Sequence, residues 1–201
     1  MLAMISCILL AAGESKRFGS PKPLAKMGPK TIIETTVAGL LKTQLLETIV
    51  VLGAYAQNIS PFITGDPRIK IGLNSNYQNG QTSSVKTGLS YLSPQTKGIM
   101  LLPIDMPLVK NITIDRLLET FLDRSPLILI PTFNGRKGHP PIFSVKLLKE
   151  LQSLKDDEPL YTIGNQHADQ TLLFPVDDEG VVLSFNTPEE FDRIKKQILE
   201  K

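Results

Sequence analysis

A chain of 201 residues, 41% hydrophobic and 21% charged, is long enough for one domain with a sizeable core, and its formal net charge of +2 excludes bulk electrostatic attraction to nucleic acid or an anionic membrane. The single cysteine, Cys7, excludes an intrachain disulfide, and no stretch has the length and apolarity of a transmembrane span. Met1 to Leu10 is apolar but lacks a basic leading region and runs into a glycine loop, so no signal peptide is expected and the cytoplasm is the default location.

Strand-like and helix-like segments alternate through the first two-thirds of the chain. Ile5–Leu10 reads as a buried strand, Thr31–Lys42 as a helix with Ile33, Val37, Leu40 and Leu41 at helical spacing, Thr48–Leu52 as a strand and Gln57–Ile63 as helical. A short strand at Ile69–Leu73, a helix at Thr82–Leu92, a strand at Gly98–Leu102, a helix at Thr113–Leu122 and a strand at Leu127–Ile130 continue the series. Continuous apolar strands separated by helices predict a doubly wound, Rossmann-like three-layer α/β/α domain with a mainly parallel sheet. Ligands of such sheets bind outside the carboxyl ends of the strands. Beyond Pro131 the rhythm changes: Thr132–Pro141 is polar and rich in Gly and Pro, and Leu147–Leu154 is a short helix. Leu172–Val176 and Val181–Phe185 read as two strands around an Asp177–Gly180 turn, and a final helix starts at Pro188 with Thr187 as its N-cap. With no repeat or linker, residues 1–201 are expected to form one domain with an inserted or appended lobe.

Four clusters fall at predicted strand ends. The first runs from Leu10 through Ala11, Ala12 and Gly13 to Arg17 and Lys22. Small residues that expose backbone N–H groups, next to fixed cations, suit a polyphosphate; the alternative is a tight turn with solvated charges. The second is Asn79–Leu89, where Thr82, Ser83 and Ser84 stand before a helical pattern and Gly80 would let a flat base lie against the backbone. Helix capping and recognition of a base or ribose use the same hydroxyls. The third is Asp105, a lone carboxylate between Pro103 and Pro107 directly after an apolar strand. It suits Mg²⁺ shared with substrate phosphates, or otherwise an Asx turn. The fourth, Asn134–Phe143, gathers Arg136, Lys137 and His139 between glycines, suited to a second anionic substrate or to a solvated basic turn.

These segments, in this order, resemble the molybdenum cofactor nucleotidyltransferase family, whose members share a Rossmann-like fold with sugar-nucleotide pyrophosphorylases. L-A-A-G-x-S-x-R-x-G-x-x-K matches Leu10 to Lys22, G-x-x-S-S-x-x-x-G-L matches Gly80 to Leu89, D-M-P-L matches Asp105 to Leu108, and G-R-x-G-H-P, typical of the cytidylyltransferase branch, matches Gly135 to Pro140. The resemblance implies Mg²⁺-dependent transfer of a nucleoside monophosphate to a phosphate-bearing acceptor, with pyrophosphate leaving. For the cytidylyl branch the donor is CTP and the acceptor is molybdenum-bound molybdopterin, with a molybdoenzyme or its chaperone as protein partner. It gives Arg17, Lys22 and Asp105 the catalytic roles, and Leu10, Ala11, Ala12, Gly13, Gly80, Ser83 and Ser84 the nucleotide. Arg136 and His139 face the acceptor, so the resemblance implies that the single domain of residues 1–201 has its nucleotide-binding part at about 1–110 and its acceptor-binding and closing part at about 111–201. The closing element D-x-D-T-P-E-[DE] appears as Ser184-Phe185-Asn186-Thr187-Pro188-Glu189-Glu190, so Asn186 stands where a second metal-binding Asp is usual. Asn186 can still ligate through its carbonyl oxygen; Asp177 and Asp178 are a fallback. Two further readings stay open: a different small phosphate acceptor (a sugar or alcohol phosphate), and a non-catalytic nucleotide-binding protein for cofactor loading.

Overall fold

The computed structural model describes residues 2–199, with side chains to residue 196. Strand β1 (Ile5–Ala11) is followed by a two-stranded flap, β2 (Lys26–Met27) and β3 (Lys30–Thr31), and by helix α1 (Ile32–Leu40). Thr31 starts α1 with a capping box, its hydroxyl accepting from the Glu34 N–H while the Glu34 carboxylate accepts from the Thr31 N–H. Then come β4 (Glu47–Leu52), α2 (Ala56–Ile59), β5 (Ile69–Leu73), α3 (Gln81–Leu89), β6 (Gly98–Pro103), α4 (Asn111–Arg124) and β7 (Ile128–Phe133). The remainder holds β8 (Arg136–Lys137), β9 (Ile142–Ser144), α5 (Leu148–Ser153), α6 (Tyr161–Gln166), β10 (Thr171–Pro175) and α7 (Pro188–Leu199).

One eight-stranded sheet runs β10-β7-β9-β6-β1-β4-β5, with β8 paired to β7. Strand β1 is central and parallel to both β4 and β6, so its side chains alternate between two buried faces. Ile5, Cys7 and Leu9 pack in the layer of α1, α4 and α7, with Ile33, Leu117 and Phe191. Ile8 and Leu10 face the layer of α3, α5 and α6, with Val85, Leu151 and Ile163. Helix α3 lies very close to the sheet: a Cβ on Gly88 would come within 2.5 Å of Ile8 Cγ2. That contact brings the N-terminus of α3 over the carboxyl end of β1.

The second half adds one detail to the expected mainly parallel sheet and departs from the sequence reading at one element. The sheet is mixed, because β9 inserts antiparallel between β6 and β7; a strand of three residues is too short to declare its period. The expected hairpin around Asp177 does not form. Val181–Phe185 is no strand: a 3₁₀ turn covers Glu179–Val182, and the chain then crosses to the site with Val181 and Phe185 fully buried. Apolar residues in a short run signal burial but not conformation. Asp178 is also corrected as a fallback metal ligand. Its carboxylate accepts from Lys110 N (2.9 Å), Thr113 Oγ1 (2.7 Å) and Gly180 N (3.0 Å), which ties the closing segment to the start of α4. The neighbouring Asp177 is exposed. Among the described residues no helix is long and apolar enough to cross a membrane.

Candidate active site

The first site is built where β1 and β6 end side by side, with Leu10 opposite Pro103 and Ile104 N donating to Leu10 O at 3.1 Å. The backbone of Ala11, Ala12 and Gly13 leaves the sheet there and folds back on Ser15. Ser15 O accepts from Phe18 N (2.9 Å) and Gly19 N (3.1 Å), and Ser15 Oγ accepts from Lys22 N at 3.2 Å. Ser15 and Gly19 take positive φ angles of 54° and 77°, which lets so short a loop reverse twice. The result aims Lys22 back toward the end of β6.

Lys22 is the hub of the charged groups. Its Nζ donates to Asp105 Oδ2 at 3.1 Å and to Asn186 Oδ1 at 3.0 Å, and Arg17 Nη2 donates to the same Asn186 oxygen at 3.0 Å. The Lys22 ammonium also lies 5.3 Å from the Phe185 ring centroid. Phe18, Phe185 and Phe191 pack edge-on or tilted with centroids 4.7–5.7 Å apart, fixing the closing segment against the opening loop. Asp105 and Asn186 therefore present two oxygens to one cation, here the ammonium. An all-oxygen pair fits a hard divalent cation that takes its remaining ligands from phosphates and water. Among the described residues no group of three or more His, Cys, Asp or Glu converges to hold a metal unaided.

Beside this cluster lies a cavity of about 290 Å³, lined by Leu10, Ala11, Ala12, Gly13, Ser15, Lys22, Tyr77, Gly80, Gln81, Ser84 and Asp105 among others. Its far wall is the turn before α3. Gly80, at φ 119°, is the N-cap of α3, so the helix presents its free N–H groups toward the cavity. A second cavity of about 520 Å³ adjoins the first, and Leu10, Gln81 and Pro103 line both. Its floor is apolar (Leu101, Ile128, Ile130, Phe143), and its rim carries Lys137, His139, Asp156, Asp157 and Glu158. The rim segment is fastened to α3 and its preceding turn: Lys86 Nζ pairs with Asp156 Oδ1 at 2.9 Å, Asn79 Nδ2 donates to Asp156 Oδ2 at 3.2 Å, and Thr82 Oγ1 donates to Glu158 O.

Most of the sequence-expected residues meet here. Leu10, Ala11, Ala12, Gly13, Lys22, Gly80, Ser84 and Asp105 line the first cavity, and Arg17 and Asn186 stand at the charged cluster beside it. His139 lines the second cavity. Burial pushes its imidazole below the usual histidine range, against the opposing pull of the Asp105 charge and a backbone contact with Leu101. A neutral ring is therefore favoured, and its buried Nδ1 has no hydrogen-bond partner. Two expected residues lie elsewhere. Ser83 turns inward, accepting from Asn74 Nδ2 (2.9 Å) and lying within bonding distance of Gly80 O (2.7 Å) and Asn76 O (3.1 Å). Arg136 is exposed on β8 and lines neither cavity, whereas the adjacent Lys137 lines the second. Side chains alternate along a strand, so one of two neighbouring cations had to point away. Sequence reasoning passed over Tyr77, Gln81 and the Asp156–Glu158 rim. The glycine turn at Gly80 pointed to the first two, but no local pattern ties residues 156–158 to α3.

The MobA-like NTP transferase domain family matches residues 7–171. The molybdenum cofactor cytidylyltransferase of Escherichia coli K12 is 26% identical over 203 residues, covering 99% of this chain and 100% of its own. The nicotine blue oxidoreductase of Paenarthrobacter nicotinovorans is 30% identical over 160 residues, covering 73% and 74%. In structure, Rv0371c of Mycobacterium tuberculosis in complex with manganese superposes with a TM-score of 0.80 at 21% identity, over 98% of this chain and all of that one. That last likeness speaks for the fold, a mostly parallel mixed sheet between helices.

Proposed function

From the premise that the chain belongs to the MobA-like NTP transferase domain family, a nucleotidyltransferase family, we propose that it transfers CMP from CTP to molybdenum-bound molybdopterin and releases pyrophosphate. The observation that carries this is the convergence of Arg17, Lys22, Asp105 and Asn186 at the cavity bounded by Ala11-Ala12-Gly13. An acceptor phosphate oxygen attacks the α-phosphorus, the bond to the β-phosphate oxygen breaks, and pyrophosphate departs with no covalent enzyme intermediate. Asp105 and Asn186 would hold Mg²⁺, which when bound supplies charge neutralisation at the phosphates; their all-oxygen donor set supports a hard divalent cation. Arg17 and Lys22 stabilise the leaving pyrophosphate, and the backbone of Ala11, Ala12 and Gly13 contacts phosphate and base. His139 and Lys137 face the acceptor in the second cavity. His139 does so as a hydrogen-bonding neutral ring rather than a fixed cation. The cytosine choice rests on the Ala-Ala-Gly sequence and on end-to-end likeness to the E. coli enzyme. The location proposed is the cytoplasm, and the protein partner a molybdoenzyme or its chaperone.

Pyrophosphate release measured across CTP, GTP, ATP and UTP, with and without the molybdenum-bound pterin, tests this directly. Arg17→Ala and Asp105→Ala are each expected to lower the rate by about 10²–10³ with the far-UV circular dichroism unchanged. Near-normal release by either variant overturns the assignment. The likeness to nicotine blue oxidoreductase favours a second reading, redox chemistry on the same fold. It predicts turnover without pyrophosphate, so the same assay separates the two.

A further inference from the structure

Tyr77 lines the first cavity together with Ala12, Gly13, Gly80 and Gln81. It opens the Tyr77–Asn79 turn directly before Gly80. Tyr77 is half-buried, and its side chain is packed closely at its base. Behind it lies Gly53, where a Cβ would come within 2.8 Å of Tyr77 Cβ, 2.9 Å of Tyr77 Cγ and 2.6 Å of Ala12 O. Glycine at position 53 thus lets the Ala12 backbone and the tyrosine close on one another, and Ala54 N, donating to Ala12 O at 3.1 Å, holds that approach.

The backbone that carries the ring is equally fixed. Buried Asn74 accepts from Asn76 N at 2.9 Å through Oδ1 and donates through Nδ2 to Ser83 Oγ (2.9 Å) and Ser84 Oγ (3.0 Å). Asn79 N donates to Asn76 O at 2.9 Å. One buried amide therefore staples the turn to the first turn of α3. The side chain that forms this part of the cavity wall is held at its base by Gly53, and the turn that carries it is held by Asn74.

From this geometry, and resting on the nucleotide reading above, we infer that Tyr77 sets the width of the base end of the cavity and is the residue that admits a one-ring base and rejects a two-ring base. A wall anchored in this way discriminates by overlap, because the second ring of a purine needs more space beside it than the single ring of a pyrimidine. Differences of this steric kind are worth about 10- to 200-fold in selectivity. The selecting group is the ring and not its hydroxyl.

Calorimetric titration of the full chain with CTP and with GTP, each in the presence of Mg²⁺, tests the inference. The wild type is expected to bind CTP more tightly. Tyr77→Ala should lower the CTP-to-GTP affinity ratio by about tenfold or more, chiefly by tightening GTP. Tyr77→Phe should keep the wild-type ratio, which a merely destabilised chain would not do selectively, and Tyr77→Leu guards against a variant that fails to fold. An unchanged ratio in folded Tyr77→Ala or Tyr77→Leu overturns the role of Tyr77 and leaves the CTP reading standing, whereas a wild type that prefers GTP overturns the CTP reading and this inference with it. A wild type that binds neither nucleotide overturns the transferase reading itself, which keeps the two failures apart.

Discussion

Residues 10–22 and residues 176–187 both end at the Lys22–Asn186–Asp105 cluster, yet different forces hold them. The opening loop is shaped from within, by Ser15 accepting from Phe18, Gly19 and Lys22 over at most seven residues of chain. The closing segment has almost no structure of its own and is held by distant partners. Val181 O accepts from His139 N at 2.7 Å, Phe185 N donates to Asp105 O at 3.2 Å, and Asp178 anchors on Lys110 and Thr113. Gly138 and Gly180 pass so close to Val181 O and Leu108 O that a Cβ would overlap them, at 2.3 and 2.2 Å. The difference teaches that half of this site is a local motif, while the other half exists only once the fold has closed.

That contrast can be broken, beginning with the largest effect. Gly138→Ala places a methyl group against Val181 O, whose backbone cannot move without dislodging the closing segment. We expect a loss of about 3 kcal/mol, read as a fall in Tm of roughly 6–12 °C for a chain of this size. An unchanged Tm would show that the segment yields freely. Next, Asp178→Ala strands three donors and should cost about 2 kcal/mol in urea unfolding, whereas Asp177→Ala, at an exposed position, should stay within about 0.5 kcal/mol. Equal effects at the two positions would dissolve the distinction between anchor and turn. Smallest is Asn186→Asp, which adds one carboxylate charge to the proposed ligand pair. It should lower the Mg²⁺ concentration for half-maximal pyrophosphate release by roughly threefold. No change, or a higher requirement, would argue that residue 186 serves Arg17 and Lys22 rather than a metal.

Legibility follows the same division. Strand β1, the Gly80 turn, Asp105 after β6 and the Thr187 cap of α7 are each specified by neighbours in sequence. All appear where the pattern puts them: Glu190 N lies 3.3 Å from Thr187 Oγ1, and the Glu190 carboxylate accepts from Thr187 N. Strand β9, helix α6 and the path of Val181–Phe185 were not legible, because their apolar runs are short and their hydrogen bonds are made to other parts of the chain. Ser83 shows a finer limit. Its type fits base recognition, but the fold gives it to Asn74, a partner that only the β5–α3 connection brings within reach.

The sequence by itself determined the parallel core and the chemistry of the opening loop, since hydrophobic period and glycine placement act over a few residues at a time. Only the tertiary structure decided which cations and oxygens meet. Lys22, Asp105 and Asn186 are separated by 83 to 164 positions along the chain between Lys22 and its two partners, and they come within 3.1 Å of its ammonium. That meeting depends on the anchoring of Asp178 and the packing of three phenylalanines. No local pattern encodes these contacts, because each draws its energy from surfaces that are adjacent only after folding.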